Sequence, residues 1–148
     1  MDRDAILESI KTQMIDTIKV SNGYNITPVV ILRGVYSYND VKDKVPALCF
    51  TFTTETPYED DQYPKTYNDT DIKAMAIMFY GYAHHASAGD NKKIYDMIHD
   101  LETFLQSEAF TYHNKTNTLS LEVKEAGNND PVLSFILAVN LIINDDIE

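Results

Sequence analysis

Two stretches of the chain carry apolar residues at three- and four-residue spacing, the pattern of an amphipathic helix. The first stretch, residues 4–20, has its apolar positions at Ile6, Leu7, Ile10, Met14, Ile15 and Ile18. The second begins at a start signal at residues 87–90 and has its apolar positions at Ile94, Met97, Ile98, Leu101, Phe104 and Leu105. The run Ser21-Asn22-Gly23 predicts the end of the first helix, because glycine readily adopts a left-handed cap conformation.

Five further stretches show the alternation or the β-branched composition that is typical of strands. They are residues 26–33, 47–54, 72–83, 119–125 and 132–144. In the last one every odd position is apolar, which predicts one buried face: Leu133, Phe135, Leu137, Val139, Leu141 and Ile143. The stretch 72–83 is apolar on both faces, so it predicts a central strand that is covered on both sides or buried on one side in an oligomer.

The order of these elements is α-β-β-β-α-β-β, and the polar residues 34–45 are expected to form a loop. Helices at the start and in the middle of an otherwise strand-paired chain indicate an α+β domain. Each helix has a single apolar stripe, so we expect both helices to cover the same face of the sheet. The length of 148 residues predicts one domain, 1–148.

The connection between the second and third strands, residues 55–71, is much longer than a hairpin needs. It is acidic and contains tyrosines and prolines, which suit a contact surface because they offer rigid area at low entropic cost. We expect this extended loop to dock a partner through six residues: Tyr58, Glu59, Asp60, Asp61, Tyr63 and Tyr67.

Charge and composition narrow the class of function. The net charge is −11, and Lys92-Lys93 is the only adjacent basic pair, so the chain is expected to repel nucleic acid and anionic membranes. The longest apolar run is too short to span a bilayer, and the N-terminus lacks a signal-peptide pattern, so we expect a cytosolic chain where it is made. The lone cysteine, Cys49, is expected to be a buried apolar residue.

No segment of the sequence gives a strong signal for catalysis or for metal binding. His84 and His85 could ligate a metal with Asp90 or His99, but adjacent strand residues point to opposite faces. Four polar residues of the second helix are expected to form a solvated face: Asp96, His99, Asp100 and Glu102. No phosphate loop, dinucleotide fingerprint, nucleophile elbow or Cys-x-x-Cys motif is present. We therefore predict no catalytic residue, no cofactor and no metal site.

The element order and apolar pattern resemble the tail terminator family of tailed bacteriophages, whose members act in tail completion and head–tail joining. The resemblance rests on the N-terminal helix and on four segments: VPAL at 45–48, DIKAMAIMFYGYA at 71–83, KIYDMIHDLETFL at 93–105 and DPVLSFILAVNLII at 130–143. It covers nearly the whole chain. The strongly acidic loop at 55–71 is where the chain departs from the family.

The resemblance implies a mixed, mostly antiparallel sheet with two helices packed on one face. It implies a ring, commonly a hexamer, that caps the tail tube, ends polymerisation and offers a docking surface to the neck. The implied partners are the chain itself, the tube, the sheath if the tail is contractile, and neck or connector proteins, with DNA only in passage and no membrane. The implied location is the tail or neck of the virion, after assembly in the host cytoplasm, and the implied role is not enzymatic.

Two other classes of function compete with this reading. An acidic DNA mimic would occupy a nucleic-acid-binding protein, but here the acids are interleaved with tyrosines and spread along the chain. A small enzyme that uses His84, His85 or His99 ranks last. An acidic lumen wall fits the first reading, because it lets DNA slide without counterion-release binding.

Overall fold

A computed structural model of the chain describes residues 2–57, 72–84, 91–127 and 129–144. Within these ranges the helices are α1 (Arg3–Thr17), α2 (Tyr38–Val41) and α3 (Lys92–Gln106). The strands are β1 (Val30–Arg33), β2 (Ala47–Pro57), β3 (Ile72–His84), β4 (Thr116–Lys124) and β5 (Val132–Asn144). Two short 3₁₀ turns occupy Val20–Asn22 and Lys42–Lys44.

The five strands form one sheet in the order β1-β2-β3-β5-β4. β1 is parallel to β2, and the other three neighbouring pairs are antiparallel. The fold is therefore α+β with a mixed, mostly antiparallel sheet, as predicted. Buried apolar side chains of α1 and α3 form one cluster with the odd-numbered residues of β5, so both long helices cover the same face. The predicted order holds for the long elements, and α2 is an additional short helix.

Local hydrogen bonds explain where the first helix begins and ends. Asp2 caps α1, because its Oδ1 accepts a hydrogen bond from the Ala5 N–H at 3.0 Å. α1 ends at Thr17, three residues before the predicted boundary, and the 3₁₀ turn that follows closes at Gly23 with φ of 90°. Ile15 was placed in the buried stripe but is 45% exposed, so that assignment was wrong. The stripe is narrower, centred on Leu7, Ile10 and Met14.

Two segments that were predicted as loop are ordered elements. Residues 38–44 are helical rather than irregular, since Asp40 Oδ2 accepts hydrogen bonds from the Ser37 N–H at 2.8 Å and the Ser37 hydroxyl at 3.0 Å. Residues 55–57, the start of the expected extended loop, continue β2, where Glu55 pairs with Met75 of β3. The remaining residues of that loop, 58–71, lie outside the described ranges.

The predicted core is confirmed on α3 and β5. Each of the six apolar residues predicted for the α3 stripe is buried, and each of the six odd-numbered apolar residues of β5 is buried. The neighbouring strands supply the rest of the same layer, with Leu48 and Phe50 from β2 and Met75, Ile77 and Phe79 from β3. The core is therefore the layer between this sheet face and the two long helices.

One close approach inside the core gives a testable prediction. Gly81 of β3 lies opposite Phe135 of β5, and a Cβ at Gly81 would stand 2.0 Å from Phe135 Cε1. Gly81→Ala should therefore lower the free energy of unfolding by about 1–3 kcal/mol, since overpacking forces the ring or the strand to move. Chemical denaturation measures this loss.

Gly127→Ala is the matched control, because a Cβ there meets nothing within 4 Å. Its free energy of unfolding should stay within about 0.5 kcal/mol of the wild type. Equal midpoints for the two variants would mean that the Phe135 ring does not occupy the space above Gly81.

Candidate assembly surfaces

The six residues predicted to form a partner interface lie outside the described ranges: Tyr58, Glu59, Asp60, Asp61, Tyr63 and Tyr67. Their attachment points are described. Pro57 pairs with Lys73, and Ile72 pairs with Asn144, so the ends of β2 and β5 and the start of β3 share one end of the sheet. We call this the acidic end, because the segments 58–71 and 145–148 attached there contain eight Asp or Glu residues and one lysine.

Charged side chains tie α1 to the strands near the acidic end. Arg3 holds Glu55 through two hydrogen bonds, Nε to Oε1 at 2.8 Å and Nη2 to Oε2 at 2.6 Å. Arg33 Nη1 donates to Asp4 Oδ1 at 2.7 Å and to Glu8 Oε1 at 2.8 Å. The hydrogen bond to Asp4, followed by that to Glu8, raises the pKa of Arg33 further above its ordinary value.

A groove of about 520 Å³ lies beside these ion pairs, and its lining includes Asp4, Glu8, Arg33 and Phe52. The guanidinium of Arg33 already bonds two carboxylates, so it is poorly placed to attract an anionic ligand. The ion pairs that line the groove connect α1 to β1, and they leave no uncompensated charge on Arg33 for a ligand.

The sheet face opposite α1 and α3 is the helix-free face. On the three central strands its side chains are small or uncharged, and it includes Thr51 and Thr54 of β2, Ala76, Met78 and Tyr80 of β3, and Ile136, Ala138, Asn140 and Ile142 of β5. Met78, Tyr80, Ile136 and Ile142 are half-buried. The apolar second face predicted for β3 is therefore present, and neither long helix covers it.

The segment that contains α2 covers one corner of the helix-free face. Tyr82 donates its hydroxyl hydrogen to the Tyr36 carbonyl at 2.8 Å, and burial raises the pKa of this phenol. Cys49 is buried beside them, as expected for a lone apolar cysteine, and burial raises the pKa of its thiol. A thiol in this setting is held in its protonated, unreactive form.

Strand β4 forms an exposed edge of the sheet, which we call the β4 edge. Every residue from Asn117 to Lys124 is exposed, including Leu119 at 56%, Leu121 at 43% and Val123 at 37%. α3 packs over β3 and β5 and leaves β4 without a helix above it. The strand was predicted to be half-exposed, so the structure exposes its apolar row more fully than expected.

The opposite edge of the sheet also exposes apolar side chains. Val29 and Val35 flank β1, and Val20 lies nearby, because its N–H bonds the Thr27 hydroxyl at 2.8 Å; all three are more than half exposed. Among the described residues, five of the eight exposed large apolar side chains therefore lie in β4 or beside β1, at the two edges of the sheet. Such clustering is typical of contact surfaces rather than of scattered surface residues.

The candidate histidine chemistry, which the sequence did not favour, gains no support from the described residues. His84 is exposed at the end of β3 and His99 is exposed on α3, while His85 and Asp90 lie outside the described ranges. Within the described residues no group of three or more His, Cys, Asp or Glu side chains is arranged to hold a metal ion. Asp96 bonds Lys92 at 2.6 Å across one helical turn.

Asp100 corrects the predicted solvated face of α3, because it is buried with 3% of its surface exposed. Its Oδ1 accepts hydrogen bonds from Asn25 N at 3.0 Å and Asn25 Nδ2 at 2.9 Å, and its Oδ2 accepts one from Ile26 N at 2.9 Å. The feature of the sequence that could have indicated this burial is the position of Asp100, three residues after Met97 and at the border of the apolar stripe of α3. Asp100 therefore clamps the segment after α1 to α3, and its carboxylate is occupied by the fold.

No helix among the described residues is long and apolar enough to cross a membrane.

Comparison with known proteins adds no family to these observations. No protein-family model matches the chain, and no curated protein sequence is significantly similar to it.

Proposed function

We propose that this chain is a structural virion protein that caps a phage tail tube, ends tube polymerisation and provides the docking surface for the neck. Its partners are further copies of itself in a ring of six, the tail tube with a sheath in a contractile tail, and neck proteins. DNA only passes through the lumen. The protein works in the tail or neck without a cofactor, and it is not an enzyme.

The observation that supports an assembly role most directly is the position of the two long helices on the sheet. Both long helices lie on one face of the sheet, the helix-free face has apolar side chains that are only half-buried, and both edges expose apolar side chains. Exposed apolar area of this kind is a liability for a lone domain, and a subunit of an assembly buries it against its neighbours.

The distribution of charge supports a passage for DNA. The segments attached at the acidic end hold eight of the 23 acidic residues of the chain. In a ring whose subunits all point the same way, these attachment points share one rim. On the helix-free face the three central strands carry no Asp, Glu, Lys or Arg among the residues described, so these strands offer no fixed cation to hold phosphate groups.

The mass of the native particle tests the proposal. Six copies of a 16.8 kDa chain should give a particle of about 100 kDa by light scattering after size exclusion, visible as a ring in electron micrographs. The particle should persist at about 0.5 M salt, because contacts through apolar side chains and main-chain hydrogen bonds are screened little.

A monomer or dimer at every concentration would contradict the ring. If that small species also bound a basic nucleic-acid-binding protein in a salt-sensitive way, the acidic DNA mimic would replace the proposed function.

A further inference from the structure

The two edges of the sheet are complementary to each other. We propose that the subunits join edge to edge, with the β4 edge of one copy pairing antiparallel with β1 of the next copy. This inference deepens the proposed function and rests on it, because it names the contact that would build the ring. It commits to a second copy of this chain as the occupant of the β4 edge.

Unused main-chain groups on β4 point away from the sheet. In an antiparallel pair, residues that exchange hydrogen bonds alternate with residues whose N–H and C=O groups point to the other side. Ile142 N donates to Lys115 O at 2.7 Å, so the even-numbered residues of β5 bond to β4. Leu121 and Val123 pair with the odd-numbered Leu137 and Phe135. Their main-chain groups therefore face outward.

The same reasoning applies to β1 at the other edge. Gly34 N donates to Phe50 O at 2.8 Å, so at the end of β1 the even-numbered residues direct their main-chain groups toward β2. Before the strand begins the parity differs, because Val29 N donates to Pro46 O at 2.7 Å. Ile31 and Arg33 then direct theirs outward. In the described part of the chain neither β1 nor β4 has a strand on its outer side. Each edge thus offers two residues, two positions apart, whose main-chain groups face outward and can form a new ladder.

Strand direction and face also match between the two edges. β1 runs parallel to β2, and three antiparallel steps from β2 through β3 and β5 lead to β4, so β1 and β4 run in opposite directions. Copies related by rotation about an axis along the strands would bring β4 and β1 together as an antiparallel pair. Ile31 shares a face with Leu48, and Leu121 shares a face with Leu137. The helix-bearing face therefore continues from one copy to the next.

The two edges are different surfaces, so their contact is heterologous, and a heterologous contact closes into a ring when the rotation permits. The exposed apolar side chains at both edges would be covered in this arrangement, with Leu121 and Val123 meeting the β1 side of the neighbour. A register that places Leu121 opposite Arg33 and Val123 opposite Ile31 uses all four outward-facing residues. In that register Glu122 lies opposite Leu32.

A proline at position 121 tests the role of the main chain. Leu121→Pro removes an outward N–H and leaves the ladder to β5 intact, since proline is tolerated on the open side of an edge strand. The variant should lose the ring and run as a 16.8 kDa monomer with an unchanged circular dichroism spectrum. Leu121→Thr keeps the N–H and suits a strand, so it is the matched control and should remain a ring.

Paired cysteines test the identity of the neighbouring strand without relying on the proline variant. In a Cys49→Ala background, Glu122→Cys with Leu32→Cys should form disulfides between copies on oxidation, giving a ladder of covalent multimers on a non-reducing gel. The Cα atoms of a non-hydrogen-bonded antiparallel pair lie about 4.5 Å apart, within the range of about 4.4–6.8 Å that a disulfide spans. Neither single-cysteine variant should form the ladder.

The outcomes separate the two proposals. A wild-type protein that forms no ring refutes the proposed function and this inference with it. A wild-type ring that survives Leu121→Pro, or that gives no cross-link from the double variant, refutes the edge-to-edge contact alone. A covalent dimer from Glu122→Cys by itself would show β4 meeting β4 of another copy and would also overturn the inference. If Leu121→Pro fails to fold, the cysteine pair decides.

Discussion

Phe135→Ala should lower the free energy of unfolding by about 3–5 kcal/mol, the range for removing a buried aromatic ring from a packed core. Phe135 is 1% exposed and lies in β5, between Gly81 of β3 and Val123 of β4. Its ring fills the space above Gly81. Because glycine has no side chain, Gly81 has nothing that could move in to close the cavity left by the ring. Denaturant titration at one fixed protein concentration measures the loss, because oligomers unfold in a concentration-dependent way.

Ser134→Ala is the neighbouring control on the helix-free face, where Ser134 is half-buried. It should change the free energy of unfolding by no more than about 0.5 kcal/mol. Equal, small losses from both variants would contradict the assignment of the odd face of β5 to the core. Normal folding of Phe135→Ala with failed ring assembly would instead place that face in a subunit interface.

The same pair of residues predicts a coupling. Gly81→Ala is harmful because of the ring at position 135, so it should cost much less in the Phe135→Ala background than in the wild type. Contacting residues commonly show such non-additivity, with interaction energies of about 0.5–3 kcal/mol. Strict additivity of the two losses would mean that the two sites act independently.

Asp100→Ala should lower the free energy of unfolding by about 2–4 kcal/mol. The substitution removes the acceptor of three hydrogen bonds and leaves the N–H groups of Asn25 and Ile26 without it, at a cost of about 1–3 kcal/mol for each group that stays unsatisfied. The largest structural change is expected in the segment after α1, so hydrogen exchange at Asn25 and Ile26 should accelerate in the variant.

Glu102→Ala is the control for Asp100, because Glu102 is an exposed acid on the same helix. It should leave the free energy of unfolding within about 0.5 kcal/mol of the wild type. Similar losses for the two variants would indicate that water replaces the Asp100 carboxylate at little cost.

One of the candidate assembly surfaces could be predicted from composition, and the others could be recognised only from the tertiary structure. The acidic, tyrosine-bearing residues of 58–71 were identified from composition and remain a prediction. The two edges could not be identified in that way, because Leu119, Leu121 and Val123 have the alternation of an ordinary half-covered strand. Their exposure follows from the strand order, which puts β4 outside the reach of α3.

Periodicity in the sequence determined the element types, the apolar stripe of α3 and the buried face of β5, because a regular element buries one side and its repeat reports that side directly. Tertiary structure decided the parallel pairing of β1 with β2, the position of β4 at an edge and the burial of Asp100. These features depend on which distant segments meet. A carboxylate at the border of a stripe is solvated or buried according to whether another chain segment, here Asn25 and Ile26, brings donors to it.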